Sequence, residues 1–189
     1  MYGPRYRYTS PLCLLYRRIA SGNTRLDQGM QMTKTVNLLK SLLHNFGVVL
    51  VGFGFAFLGR RIDYFLGLTD FHSVFTAIAA WLCLVIGFLI RVWAAFHFYE
   101  QRMKVISLVP QKKLITTGPF RFSRNPLYLG GNLFIFLGAV LFFGSPTGIV
   151  LTAINLFLVD LMIRREEKQL AHDFGEAWVS YRNRVGRWL

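Results

Sequence analysis

Four apolar runs, at residues 42–58, 71–90, 127–143 and 149–163, constrain this chain more than anything else in it. A helix needs roughly 20 apolar residues to cross a bilayer, with about 17 at the short end. Lipid offers no hydrogen-bond partners, so runs of this kind are helices that satisfy their own backbone. The expected class is all-α: an integral membrane protein with four transmembrane helices. The helical pattern of the second run continues to Tyr99. The last two runs are short and are joined only by Gly144-Ser145-Pro146-Thr147-Gly148, an uncharged tight turn, so they read as a helical hairpin. Asn155 and Asp160 in the fourth run turn that helix toward protein, since polar groups in lipid are costly. The composition agrees: 53% of the 189 residues are hydrophobic and 16% charged, against about a quarter charged in soluble domains.

Charge sets the orientation. The net charge is +13, and with spans present it reads as attraction to anionic lipid rather than to nucleic acid. Residues 1–40 carry Arg5, Arg7, Arg17, Arg18, Arg25, Lys34 and Lys40 against one acid, Asp27. The first loop, residues 59–70, has only Arg60 and Arg61, balanced by two acids. The second, residues 100–125, has Arg102, Lys104, Lys112, Lys113, Arg121 and Arg124; the hairpin turn has none; the C-terminal tail has Arg164, Arg165, Lys168, Arg182, Arg184 and Arg187. The positive-inside rule then places both termini and the second loop in the cytoplasm. Residues 1–40 read as a flexible basic cytoplasmic tail; the cluster at 12–16 is too short for a secretory signal. Residues 41–189 read as the membrane domain. Cys13 and Cys83 make neither a disulfide framework nor a metal pattern, and the four histidines lack ligand spacing.

Two stretches on that cytoplasmic face carry the chemistry: residues 112–131, KKLITTGPFRFSRNPLYLGG, and residues 160–189. Pro is favoured at a first helical position and Asn at an N-cap, so Asn125-Pro126 marks a helix start, with Leu127 and Tyr128 in its first turn. Such an end, with Arg124 beside it, suits a carboxylate or phosphate, although an N-cap with Pro is also how any helix begins. Gly118-Pro119 makes a turn ahead of it. Phe120, Phe122 and Tyr128 supply aromatic faces for a planar or cationic group, or a membrane-interface belt. Glu166 and Glu167 follow the fourth helix without a break and can take an ammonium group. Asp160 shares a face with Glu167 and pairs with Arg164 at i,i+4. Together the two stretches fit a zwitterionic amino-acid moiety. Arg91, Trp93 and His97, at the end of the second helix, line the same region or anchor the interface. Phe174, Trp178, Tyr181, Val185 and Trp188 form one stripe of an amphipathic C-terminal helix for the membrane surface. No phosphate-binding loop, dinucleotide fingerprint, zinc-protease motif or nucleophile elbow is present.

The pattern L-I-T-T-G-P-F-R-F-S-R-N-P-L-Y-L-G, then a short hairpin, then R-R-E-E-x-x-L-x-x-x-F-G-x-x-W-x-x-Y-x-x-x-V, resembles the isoprenylcysteine carboxyl methyltransferase and phospholipid methyltransferase superfamily, over roughly residues 75–189. The resemblance implies an integral membrane methyltransferase using S-adenosylmethionine, held at the cytoplasmic face. By position it implies cofactor contacts from Leu114, Ile115, Phe120, Asn125, Pro126, Leu127 and Tyr128, with Glu166 on the amino group and Gly118, Arg124 and Glu167 in the same motif. Neither a metal nor a nucleic-acid partner is expected, from the missing ligand spacing and the apolar spans. Asn125 stands where eukaryotic members usually have His, and Met162 where they carry a substrate-facing Arg. The implied acceptor is therefore a lipid or small hydrophobic molecule, with a carboxylate or amine, other than a prenylcysteine. The alternatives are an NADPH-dependent membrane reductase of sterol-reductase type, with Lys112 and Lys113 on a 2′-phosphate, and a non-catalytic membrane scaffold.

Overall fold

The computed structural model describes residues 11–101 and 113–189, with side chains from Gln31 onward. Arg5 and Arg7 of the basic tail, and Arg102, Lys104 and Lys112 of the second loop, lie outside the described residues. The chain divides into two units, Met1–Asn37 and Leu38–Leu189. The described residues are helical: α1 (Pro11–Leu66), α2 (Val74–Glu100), α3 (Pro126–Phe143), α4 (Pro146–Phe174) and α5 (Glu176–Arg182), with a tight 3-10 turn at Gly118–Arg121. Among the described residues, four helices are long and apolar enough to cross a membrane. Residues 11–40, read above as a tail, are helical within α1.

The first loop is shorter than the expected 59–70, because α1 continues through Arg60 and Arg61. Gly67 (φ 68°) ends the helix. Its N–H donates to the Tyr64 carbonyl at 3.3 Å, and the Leu68 N–H donates to the Asp63 carbonyl at 2.9 Å. This paired closure satisfies carbonyls that a helix end leaves open. The added turn holds Arg60 and Asp63 with partners, and Arg61 lies 6.0 Å from the Phe57 ring centroid. Arg60 meets Asp70 at 2.6 Å. Asp63, fully buried, accepts from the Ser145 hydroxyl at 2.5 Å and the Thr147 N–H at 2.9 Å. Ser145 also accepts from the Gly148 N–H at 2.9 Å, capping α4. One carboxylate thus ties the end of α1 to the hairpin turn.

α2 starts with a reciprocal cap. The Thr76 N–H donates to the Ser73 hydroxyl at 3.2 Å, and the Ser73 N–H donates to the Thr76 hydroxyl at 2.8 Å. The helix runs to Glu100, as its sequence pattern suggests. α2 and α3 pack backbone to backbone. A Cβ on Gly87 would stand 2.6 Å from the Gly130 carbonyl oxygen, and one on Gly130 2.6 Å from the Gly87 oxygen. Small residues allow such approach between membrane helices, where van der Waals packing replaces the hydrophobic drive. α3 is widened by π-type winding over Leu129–Ile135, a stretch that includes the glycine pair Gly130-Gly131. Gly87→Val should therefore force α2 from α3 and cost about 1–3 kcal/mol or more. Thermal unfolding in detergent would register this as a lowered midpoint, while Gly54→Val, at a site with open space, should leave it nearly unchanged.

Candidate functional site

The site forms where the start of α3, the end of α4 and the C-terminal tail meet. The turn at Gly118–Arg121 lets the chain double back over the end of α2. There the His97 ring fills the space a Gly118 side chain would need. Phe120 is driven inward, 5.5 Å from the Phe98 ring, and packs in a cluster with Ala94, Phe98 and Ile115, flanked by Leu127. Leu114 is half-buried next to Ile115. Phe122 parts from the expected aromatic group: it is exposed, 6.3 Å from Trp93.

α3 starts at Pro126, as the sequence indicates, but Asn125 does not cap it by its side chain. The Asn125 Nδ2 donates instead to the Arg187 carbonyl at 3.2 Å. The Ser123 hydroxyl reaches the same carbonyl at 3.3 Å and accepts from the Asn125 N–H at 3.1 Å. The Arg124 N–H donates to the Gly186 carbonyl at 3.0 Å. The C-terminal tail is thereby stitched along residues 123–125. α5 reinforces this: the Tyr181 hydroxyl donates to the Phe120 carbonyl at 2.7 Å, and burial pushes its pKa up to about 12. Trp178 and Tyr181 are buried in protein, so the aromatic stripe assigned to the membrane surface packs inward at these two positions. α5 itself ends at Arg182, short of Val185 and Trp188.

The two adjacent glutamates part company. Glu167 points inward, its side chain 11% exposed, between Arg124 Nη2 at 3.1 Å and Arg187 Nη2 at 2.7 Å. Arg187 also reaches Asp160 Oδ1 at 3.1 Å, and Arg164 holds Asp160 Oδ2 at 2.7 Å. Asp160 and Glu167 thus share one helix face, as their spacing implies, and one guanidinium bridges them. Burial lowers the pKa of Arg124, with Arg187 and Arg182 adding repulsion against the pull of Glu167. The Arg124 guanidinium lies 5.6 Å over the Trp178 ring. Hydrogen bonding to Glu167 raises the pKa of Arg187. Glu166, by contrast, is exposed, and its Oε1 accepts from the Tyr128 hydroxyl at 2.8 Å.

Arg91 is buried rather than anchored at the surface. Its Nη1 donates to the Leu127 carbonyl at 2.7 Å and its Nε to Asn45 Oδ1 at 2.7 Å. The structure therefore gathers Ile115, Phe120, Arg124, Asn125, Pro126, Leu127, Tyr128, Glu166 and Glu167 around one helix start. Sequence reasoning counted Arg187 only toward the charge of the tail and assigned no site role to it, to Asn45 or to Asp63. For Asn45 a signal existed: Ser41, His44 and Asn45 form an i, i+3, i+4 polar face beside an apolar run.

Phosphatidyl-N-methylethanolamine N-methyltransferase of Saccharomyces cerevisiae is 42% identical over 53 residues, which is 28% of this chain and 25% of the yeast protein. The chain therefore matches about a quarter of that relative's length. No solved structure matches. The model of the phospholipid methyltransferase family matches residues 75–177, which take in α2, the Gly118–Arg121 turn, the hairpin and the paired glutamates. Because that match spans more than half of the sequence, this chain belongs to the phospholipid methyltransferase family.

Proposed function

We propose that this protein transfers a methyl group from S-adenosylmethionine to the amine headgroup of a membrane phospholipid, at the cytoplasmic face. Family membership and the activity named for the yeast relative support the reaction class. The alternation of basic-rich and basic-poor loops supports the face. The observation that carries the reading is the split between the glutamates: Glu167 is held by two arginines, while Glu166 stays exposed beside the start of α3.

The donor set suits the cofactor. When bound, S-adenosylmethionine supplies an electrophilic methyl group on a sulfonium. Glu166 offers a carboxylate to an ammonium group, oriented by Tyr128. Leu127 and Tyr128 offer first-turn N–H groups, which have no intrahelical partner, to a carboxylate. Leu114 and Leu127, half-buried and backed by the Ile115 and Phe120 cluster, offer apolar surface to a purine. Gly118 lets the turn close over α2. Arg124, Asn125, Pro126 and Glu167 form the frame that fixes this geometry. The chain's contribution is to bind, orient and exclude water, with the reactive group brought in by the cofactor.

Glu166→Ala should weaken S-adenosylmethionine binding roughly 10–100-fold, the equivalent of a charge-assisted hydrogen bond of about 1.5–3 kcal/mol. Glu176→Ala, on exposed α5 surface, should leave it unchanged. Isothermal titration with S-adenosylmethionine and with NADPH gives the answer. Equal effects of the two substitutions, or binding of NADPH alone, overturns the assignment.

A further inference from the structure

Ser73, Asn125 and Ser145 each stand just ahead of a membrane-type helix, but only the two serines cap one. Ser73 and Ser145 lie in extended backbone, at φ −150°, ψ 167° and φ −93°, ψ 111°, and each side chain accepts from an N–H three residues on. Asn125 is as good a capping residue by type. It lies instead at φ −132°, ψ 53°, and its side chain makes no cap. The tail accounts for the difference. The Arg187 carbonyl accepts from Asn125 Nδ2 at 3.2 Å and from the Ser123 hydroxyl at 3.3 Å, and the Gly186 carbonyl accepts from the Arg124 N–H at 3.0 Å. Arg187 is itself fixed from α4, by Glu167 at 2.7 Å and Asp160 at 3.1 Å. The backbone ladder of α3 opens with the Leu129 N–H on the Asn125 carbonyl at 2.9 Å. The Leu127 and Tyr128 N–H groups precede it, so neither the ladder nor a side-chain cap takes them. Arg124 Nε, one residue ahead of Asn125 on a side chain 8% exposed, is also buried without a partner among the described residues.

Resting on the methyl-transfer reading above, we propose that the Arg187 carbonyl keeps α3 uncapped, and that Asn125 is a positioning residue for the methyl donor because its amide is drawn off the helix. A capping side chain and a ligand carboxylate compete for the same first-turn N–H groups. A free asparagine would close them with its amide oxygen. Held through Nδ2, the same side chain cannot turn that oxygen onto them. The ion pairs of Arg187 then act at a distance. They set where its carbonyl stands, the carbonyl sets the side-chain direction of Asn125, and that direction decides whether the N–H groups are open. Glu166 is reached from the same turn, through the Tyr128 hydroxyl at 2.8 Å. Tyr128 thus offers its N–H to one end of an amino-acid moiety and orients Glu166 for the other. The arrangement holds only while Asn125 faces the tail.

The test compares Asn125→Ser with Asn125→Ala in the full chain in detergent. Both lose the amide that donates to Arg187, but only serine can cap a helix. Without ligand, hydrogen exchange at the Leu127 and Tyr128 amides should be several-fold slower in Asn125→Ser than in Asn125→Ala or the unmodified chain. The serine variant should melt above the alanine variant and yet bind S-adenosylmethionine roughly tenfold more weakly, the scale of one helix cap. A residue that merely tethers the tail predicts equal losses in the two. Arg187→Ala gives a second route: it frees the tail, returns Asn125 to the helix and weakens binding, and adding Asn125→Ala should recover part of the affinity. Equal Kd values for the serine and alanine variants, or no recovery in a folded double variant, overturns the proposal. If Arg187→Ala does not fold, the serine and alanine pair decides alone. Failure of the unmodified chain to bind S-adenosylmethionine sinks the methyl-transfer reading instead, and the exchange rates then decide by themselves whether the tail uncaps α3.

Discussion

Glu167→Ala should lower stability by about 3–5 kcal/mol, the usual cost of removing one partner from a buried ion pair. The reason lies in what it leaves behind. The Arg124 side chain is 8% exposed, and its Nε is already buried without a partner. Arg187 would keep only Asp160. Two guanidiniums would then face each other without the carboxylate between them. Since Arg187 is 26% exposed, part of its loss is recovered by solvent, which favours the lower end of that range. Thermal unfolding in detergent, with Glu166→Ala beside it, provides the measurement. Among the described residues Glu166 bonds only to Tyr128, from an exposed position, so its removal should cost less than about 1 kcal/mol. Combining Glu167→Ala with Arg124→Met should recover part of the loss, because an apolar side chain replaces a stranded charge. Similar melting points for Glu166→Ala and Glu167→Ala would contradict the inward and outward assignment of the two residues.

That assignment shows where sequence reasoning reaches its limit. The spans were legible because lipid imposes one rule on every residue of a run. The start of α3 was legible because Pro126 fixes a backbone angle locally. Asp160 and Glu167 could be placed on one face because helical spacing alone decides it. The roles of Glu166 and Glu167 could not be separated, since both are acids in one turn and the difference comes from a tail twenty residues further on. Asn125 illustrates the same point. Its propensity predicts a cap, but the Arg187 carbonyl competes for its amide and takes it. The inward turn of Trp178 and Tyr181 likewise depends on the Arg124 and Phe120 partners they find. An aromatic stripe reads the same whether lipid or protein covers it.

Arg91→Met should destabilise the protein by about 2–4 kcal/mol and weaken cofactor binding with it, although residue 91 is not assigned to touch the ligand. Two elements converge on this side chain. From α1, Asn45 accepts from Nε at 2.7 Å and His44 stands 3.3 Å from Nη2; from α3, the Leu127 carbonyl accepts from Nη1 at 2.7 Å. Asn45 is itself fixed by donating to the Ser41 carbonyl at 2.7 Å, and the Ser41 hydroxyl donates back to the Val92 carbonyl on α2 at 3.0 Å. Methionine keeps the bulk and leaves the Leu127 carbonyl and the Asn45 amide oxygen without their donor. An unsatisfied buried group costs about 1–3 kcal/mol in water-soluble proteins. Interhelical bonds in membranes average nearer 0.6 kcal/mol, so the two charged bonds here set the middle of the range. Leu127 is in the first turn of α3, next to Tyr128 and so to Glu166; releasing its carbonyl loosens the N–H groups proposed to hold the cofactor. Arg91→Lys separates charge from geometry. A lysine keeps the cation but cannot fork between α1 and α3, so it should recover less than half of the lost melting temperature and of the S-adenosylmethionine affinity. Full recovery by lysine would reduce Arg91 to a buried charge, and an unchanged melting point in Arg91→Met would show that glycine packing alone holds α3 against α2.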